Sequence, residues 1–359
     1  MLVAAADRCK LYRHSYIDIA AGHVVCRTIL GMGIAHYIKE IGRGKEGARS
    51  LSREQATDLL GQVLDGTVSD LEVGAFCIAM RIKGESPQEM AGFLDAVRAR
   101  LQLVQFELPV VVIPSYNGAR KLPGLSTLLA ALLAREGGKR EFAVLVHGCT
   151  SEAVRVPTQD VFEAVFSSFY RKKQQVAGIE SSQSAIKLVV VNEAVKHGIP
   201  LFATTQQLSP ALHRLLQIRR TIGLRNPSHS LVKLMNPTNR ADALIISSYT
   251  HPEYLNSMTE TLQLTGSHAM LLRGTEGESV ADARRRPRMD GFVHGQPVAL
   301  CETQEGSLAS LPDLPKTCDA ATTAAYIHEV LQGNKPVPDP IAAQVEHILQ
   351  LMARMKEKP

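Results

Sequence analysis

The order of apolar and polar positions divides the chain into two rhythms. From Ile34 to about Arg100, apolar residues recur every three or four positions, the period of helices that bury one stripe. Three segments there carry their own start and stop signals. "SREQATDLLGQVLDG" opens on Ser52, has Gln55 three residues later and stops at Gly66. A hydroxyl at the N-cap with Gln or Glu at N3 satisfies two orphan N–H groups reciprocally, and glycine ends a helix because it enters the left-handed region without a Cβ clash. "SDLEVGAFCIAMRIKG" repeats the plan from Ser69 to Gly84, and "SPQEMAGFLDAVRARL" repeats it with Pro87 in the first turn, where a missing N–H leaves nothing unpaired. No strand pattern interrupts these helices, so they form a small all-helical unit.

Past Pro109 the rhythm changes. "VVVI" (110–113), "FAVLVHG" (142–148), "KLVVVN" (187–192), "ADALIISS" (241–248) and "HAMLLRG" (268–274) are continuous apolar runs of strand length. Helical stretches such as "LSTLLAALLAREGG" and "HPEYLNSMTETLQLTG" lie between them. That alternation predicts a mostly parallel sheet covered on both faces. Beyond Pro287 the pattern weakens into a Gly/Pro-rich section, followed by a helix from Asp319–Ala320 to about Gln332 and a last one in "DPIAAQVEHILQLMARMKEK". The expected organisation is a leader at 1–31, a helical domain at 32–104 with part of 195–225 packing into it, and an α/β domain at 105–359.

Composition narrows the possibilities without choosing among them. At 359 residues and 45% hydrophobic, the chain can bury a large core. Its 40 Lys plus Arg against 35 Asp plus Glu leave a formal charge of +5, which permits a polyanionic partner without demanding one. No apolar stretch is long enough to span a bilayer. The six scattered cysteines form no CxxC pair and no zinc spacing, a usage that suits a reducing cytoplasm. The first 31 residues lack the apolar core and small-residue cleavage site of a signal peptide; they read as a dispensable or misassigned leader, or as a short ordered arm.

Ligands in an open parallel sheet sit beyond the carboxyl ends of the strands. Four loops qualify: 114–121 "PSYNGARK", 147–160 "HGCTSEAVRVPTQD", 247–254 "SSYTHPEY" and 273–279 "RGTEGES". In this order, behind a three-helix unit, they resemble anthranilate phosphoribosyltransferase and the nucleoside phosphorylases of the same fold. The strings "IKEIGRGKEGARSLSREQA", "IAMRIKGE", "IPSYNGARK", "HPEY" and "GTEGE" resemble more closely the YbiB-type branch of that family, which keeps the transferase fold and is described as nucleic-acid-binding.

The resemblance implies positions for the enzymes' working parts. Their pyrophosphate loop "GTGGD" falls on Pro114 to Gly118, where Pro114, Tyr116 and Asn117 replace glycines that let backbone N–H groups approach phosphate, Pro114 also removes one N–H, Ser115 stands at the threonine, and Gly118 replaces the acid. Ser126 and Thr127 match the hydroxyls of "NxST"; at a helix start they suit a bound anion or an ordinary N-cap. His147 and Gly148 remain from "KHGNR", the histidine reading either as a catalyst or as a hydrogen-bonded structural residue. Arg219, Arg220 and Arg225 match "RRELGIR", whose arginine holds the aromatic carboxylate in the enzymes. The magnesium-holding acidic pair falls on Ser279 and Val280, and Glu276 and Glu278 could substitute only with a register shift. With three parts of the apparatus altered, efficient phosphoribosyl transfer is not expected, and magnesium belongs only to the enzyme alternative.

Abundant cations remain. Lys39, Arg43 and Lys45, Arg81 and Lys83, Arg120 and Lys121, Arg171, Lys172 and Lys173, and Arg284, Arg285, Arg286 and Arg288 are candidates for phosphate neutralisation, which gives affinity without sequence choice. The alternative for each is a solvated surface charge. With no Trp, eight Tyr and nine Phe, an extended base-stacking platform is not expected. The sequence therefore favours a non-catalytic, sequence-independent binder of single- and double-stranded nucleic acid, homodimeric through the helical domain as the resemblance implies. A phosphoribosyltransferase using an altered site is the alternative.

Overall fold

A computed structural model of the chain describes residues 15–20, 23–28, 33–44, 46–150, 154–177, 188–306 and 311–357. Within the expected leader, strands β1 (Ser15–Ala20) and β2 (His23–Thr28) pair as an antiparallel hairpin; the rest of 1–31 lies outside the described residues.

The helical unit contains α1 (Ala35–Ile41), α2 (Arg53–Asp65), α3 (Asp70–Lys83) and α4 (Pro87–Arg98). Ser52, Ser69 and Ser86 each accept from the N3 backbone N–H while Gln55, Glu72 and Glu89 bond back to the cap, so the three expected boxes all form. Gly66 ends α2 at φ 70° and Gly84 follows α3. Phe76 and Phe93, both fully buried, meet edge to face with ring centres 6.0 Å apart. Glu89 links the unit: its buried carboxylate accepts from Leu51 N (2.9 Å) and Ser86 N (2.8 Å) and pairs with Lys83 Nζ at 2.6 Å.

A seven-stranded sheet forms the second unit, in the order β5-β4-β3-β6-β7-β8-β9. Strands β3 (Val110–Ser115), β4 (Ala143–Gly148), β5 (Leu201–Thr204), β6 (Leu244–Tyr249) and β7 (His268–Arg273) run parallel. β8 (Met289–Val293) and β9 (Gln296–Cys301) extend the sheet antiparallel from β7. Helices α5 (Ser126–Arg140), α6 (Thr158–Ala177), α7 (Leu188–Lys196), α8 (Thr205–Leu208), α9 (Pro210–Ile222), α10 (Ser228–Leu231), α11 (Glu253–Leu264), α12 (Ala320–Gln332) and α13 (Asp339–Arg354) complete the chain. Leu212, Leu215 and Leu216 of α9 belong to the core that also contains Leu59, Phe76 and Phe93 of the helical unit.

Two expectations change. Of the run at 187–192, read as a strand, the described residues 188–192 lie in helix α7, with Val191 and Ala194 buried on one face and Asn192 and Lys196 outward. Three consecutive valines favour extended backbone only weakly, and packing an amphipathic face overrides that preference. The strand instead follows Pro200, as the short β5. The section beyond Pro287, where no strand was expected, forms β8 and β9 around a turn at His294 and Gly295, both at positive φ.

Candidate functional site

The strand order reverses direction between β3 and β6, so the loops after β3, β6 and β7 open into one crevice. The loop after β3 forms a cradle of donors. Asn117 N and Gly118 N point into it at the N-terminal side of the 15-residue helix α5, and Ser115 Oγ and Ser126 Oγ complete it. Gly118 adopts φ 72°, where a side chain would also run into the Val156 carbonyl. Backbone N–H groups converging beside a helix N-terminus make an anion site.

That cradle holds an anion supplied by the chain itself. The Glu278 carboxylate, buried at 3% exposure, accepts from Asn117 N at 2.6 Å, Gly118 N at 2.8 Å, Ser126 Oγ at 3.3 Å and Ser115 Oγ, which is also 2.6 Å from Thr158 Oγ1. Two residues back, the Glu276 carboxylate accepts from Arg120 N (2.6 Å) and Lys121 N (3.0 Å). Gly277 sits between the two glutamates at φ 89°, its carbonyl accepting from Asn117 Nδ2 and Ser248 Oγ. Ser126 is thus not an ordinary N-cap: Leu125 holds that position without a side-chain bond, and the Ser126 hydroxyl serves the anion.

Magnesium does not fit this donor set. Ser279 donates its hydroxyl to the Pro114 carbonyl and Val280 is buried apolar surface, so the positions matching the enzymes' acidic pair supply no carboxylate. Glu276 and Glu278 accept from loop N–H groups and hydroxyls, not in the open arrangement a hydrated magnesium requires. Among the described residues, no group of three His, Cys, Asp or Glu is placed to hold a metal.

Beside the cradle, between the two units, lies a cleft of about 710 Å³. Arg81 enters it from the helical unit, and Arg155, Arg225 and Lys233 from the α/β unit, opposed by Glu85, Glu253 and Glu276. Arg225 Nη2 donates to Asn117 Oδ1 at 2.9 Å, and Arg155 Nη1 donates to the Gly118 carbonyl at 3.0 Å, so two cleft cations also brace the cradle loop. Lys233 donates its buried Nζ to the Ser248 carbonyl at 3.1 Å. Burial brings its pKa down to about 8, although the nearby Glu278 charge favours the ammonium form. His229, also in the wall, is pushed down to about 3 by burial and by the Arg225 charge, and its Nε2 has no hydrogen-bond partner. Tyr116 is buried edge-on against it, with ring centres 5.2 Å apart.

The remaining expected positions disperse. His147 is fully buried at the end of β4 with neither ring nitrogen hydrogen-bonded, and burial lowers its pKa to about 3. It is neither a hydrogen-bonded structural residue nor a group placed to shuttle protons. Thr127 is buried with its hydroxyl unpartnered, and Gly148 permits close passage of the Ser115 carbonyl. Arg219 and Arg220 sit in the last turn of α9, away from the cleft lining.

Of the expected nucleic-acid contacts, Arg81, Arg120 and Lys121 are exposed at or beside the cleft mouth. Lys39 is exposed on α1, and Arg43 pairs with Glu40 at 2.6 Å. Lys83 is a correction: its side chain is 8% exposed and bound to Glu89, so it serves the helical core and not a ligand. Arg284 pairs with Asp282 (2.6 Å), Arg288 with Asp290 (2.9 Å), and Arg285 donates to the Gln304 carbonyl; with Arg286, they lie near the start of β8, outside the cleft lining. Lys45 and the side chains of Arg171, Lys172 and Lys173 lie outside the described residues. Sequence reasoning missed Lys233, although a lone cation inside "SLVKLM" is a usable signal, and missed the inward turn of Glu278.

Residues 35–101 match the family model described as "Glycosyl transferase family, helical bundle domain". YbiB of Escherichia coli (strain K12) is 36% identical over 314 residues, covering 86% of this chain and 91% of that one. An anthranilate phosphoribosyltransferase of Thermus thermophilus is 28% identical over 238 residues, 66% of each chain. Among solved structures, the fold matches an anthranilate phosphoribosyltransferase from Thermus thermophilus with TM-score 0.62 at 22% identity, covering 86% of this chain and 85% of that one. It matches the Saccharomyces cerevisiae enzyme in complex with PRPP and Mg with TM-score 0.64 at 15% identity, covering 90% and 89%. A small helical bundle on a mostly parallel sheet, together with kinship along most of the chain, assigns this protein to the anthranilate phosphoribosyltransferase-like family, in the branch that contains YbiB.

Proposed function

We propose that the chain is a phosphoribosyltransferase-type protein that binds a phosphate-bearing ligand in the cleft between its two units. The observation that carries this reading is the convergence of Arg81, Arg155, Arg225 and Lys233 on one cleft of about 710 Å³. Guanidinium groups offer paired donors that match phosphate oxygens. Kinship favours a phosphoribosyl compound as the ligand: Thermus and yeast relatives are named anthranilate phosphoribosyltransferases. In that reading the chain is a pentosyltransferase with an altered site. The test is calorimetry with ribose 5-phosphate and with phosphoribosyl pyrophosphate, each with and without magnesium. Saturable binding that Arg225→Ala weakens about tenfold or more is expected for loss of a charge-assisted phosphate contact; no binding by either compound would reject it.

A second reading, nucleic acid along the same mouth, rests on the exposed side chains of Arg81, Arg120 and Lys121. Phosphate neutralisation by such side chains gives binding that weakens steeply with salt. Fluorescence anisotropy with single- and double-stranded oligonucleotides at rising salt separates the readings, since affinity that ignores salt removes this one. In either, two copies would pair through the helical unit. Leu71 is 83% and Ile82 60% exposed eleven positions apart on α3, three turns along one face.

A further inference from the structure

We infer that the loop 276–278 is a built-in diphosphate mimic, and that Glu276 and Glu278 decide which anions this site accepts. Two carboxylates, separated in the chain by Gly277 alone, occupy two successive N–H pairs of one loop: Glu278 on Asn117 and Gly118, Glu276 on Arg120 and Lys121. Two linked phosphoryl groups would present the same features, namely adjacent negative centres rich in acceptor oxygens. The inner half is the stricter. Glu278 is 3% exposed and surrounded by donors that have no competing partner of opposite charge within bonding distance: two amides and the Ser115 and Ser126 hydroxyls. The backbone is shaped for the insertion, with Glu276 at φ 53° and Gly277 at φ 89°, and a Cβ on Gly277 would collide with Asn117 Nδ2. A non-glycine residue in the left-handed region is uncommon and is held by its surroundings. Here the surroundings are the two carboxylate contacts and the bonds from Asn117 Nδ2 and Ser248 Oγ to the Gly277 carbonyl.

The consequence concerns specificity. A free diphosphate entering the cradle meets donors already satisfied and two fixed negative charges, so it is excluded unless the loop withdraws. A ligand held by Arg81 and Lys233 in the neighbouring cleft needs no such displacement. The inference goes beyond the cleft-ligand reading and does not depend on the ligand's identity.

The test uses inorganic pyrophosphate and inorganic phosphate as probes on the full chain, at matched ionic strength, read by calorimetry and by thermal unfolding. The wild type is expected to show no saturable pyrophosphate binding in the millimolar range. Glu278→Ala and the double variant with Glu276→Ala are expected to bind pyrophosphate at least about tenfold more tightly than wild type and to gain melting temperature with ligand concentration by mass action. Phosphate alone should gain less than pyrophosphate in the double variant. Equal pyrophosphate affinity in wild type and folded variants overturns the proposal. If Glu278→Ala does not fold, Glu276→Ala, which removes a carboxylate at the exposed rim, decides it: a gain over wild type supports the mimic and no gain rejects it. Arg81→Ala keeps the two inferences apart, because it removes a cleft cation and leaves the cradle donors in place. An unmasked cradle with no cleft ligand would reject only the functional reading; a cleft ligand with no unmasking would reject only this one.

Discussion

Glu89 and His147 show how single buried side chains carry stability here. Glu89 has no exposed surface and faces Lys83 at 2.6 Å. Replacing Lys83 with Met leaves a buried carboxylate without its counter-charge, so a loss of about 3–5 kcal/mol is expected in urea unfolding. His147 behaves oppositely, because it is buried neutral. Its folded pKa is lowered from 6.5 to about 3, so between those values the unfolded chain binds a proton that the folded chain refuses. Stability from this group is present above pH about 6.5 and lost as the pH falls towards 3, at about 1.4 kcal/mol per pKa unit. His147→Leu should flatten the acid side of the stability profile; a slope identical to wild type would contradict the assignment. Lys233 sets a different window. Its ammonium form is lost as the pH rises through about 8, so affinity for an anion in the cleft should fall there, and Lys233→Met should remove that step from a binding titration.

At the scale of elements, the helical unit was the most legible part of the chain. Its signals are local: Ser52, Ser69 and Ser86 each sit three residues before a Gln or Glu, and the bonds this spacing anticipates all form. Ser69→Ala is expected to destabilise by about 1 kcal/mol in thermal or urea unfolding, as for other N-cap hydroxyls. Strands β3, β4, β6 and β7 were equally visible because both their faces are buried and the residues read as unbroken apolar runs. β5, β8 and β9 were hidden for a physical reason. β5 has only four residues, and β9 lies half exposed at the sheet edge inside the Gly/Pro-rich section, so neither stands out as a buried strand. Conversely, α7 looks like a strand because valine fits either a buried strand or the buried face of a helix.

At the scale of the whole molecule, composition could not distinguish the settings in which these cations lie. Lys83 is neutralised inside the helical core, Arg284 and Arg288 are paired beside β8, and Arg81, Arg155 and Arg225 face one cleft. The proposed ligand site draws on the third group. The exposed Leu71 and Ile82 belong to this scale too. Leu71→Asp with Ile82→Asp should convert a dimer to a monomer in sedimentation without unfolding it, and an unchanged mass would remove that face from the interface. Among the described residues no helix is long and apolar enough to cross a membrane.

Helix starts, buried strands, the helical unit and the family were legible in the residue order because each depends on contacts between neighbours in the chain or on strings that survive intact. The same order showed that the phosphate loop "IPSYNGARK" had lost its glycines and its acid. It could not show what took their place. Asn117 and Glu278 are 161 positions apart, and only the packing of the β3 and β7 loops at the strand-order reversal brings that carboxylate onto those amides. The convergence of Arg81 with Lys233 across two units has the same origin: the chemistry of each residue is local, whereas the site depends on which distant segments the sheet sets side by side.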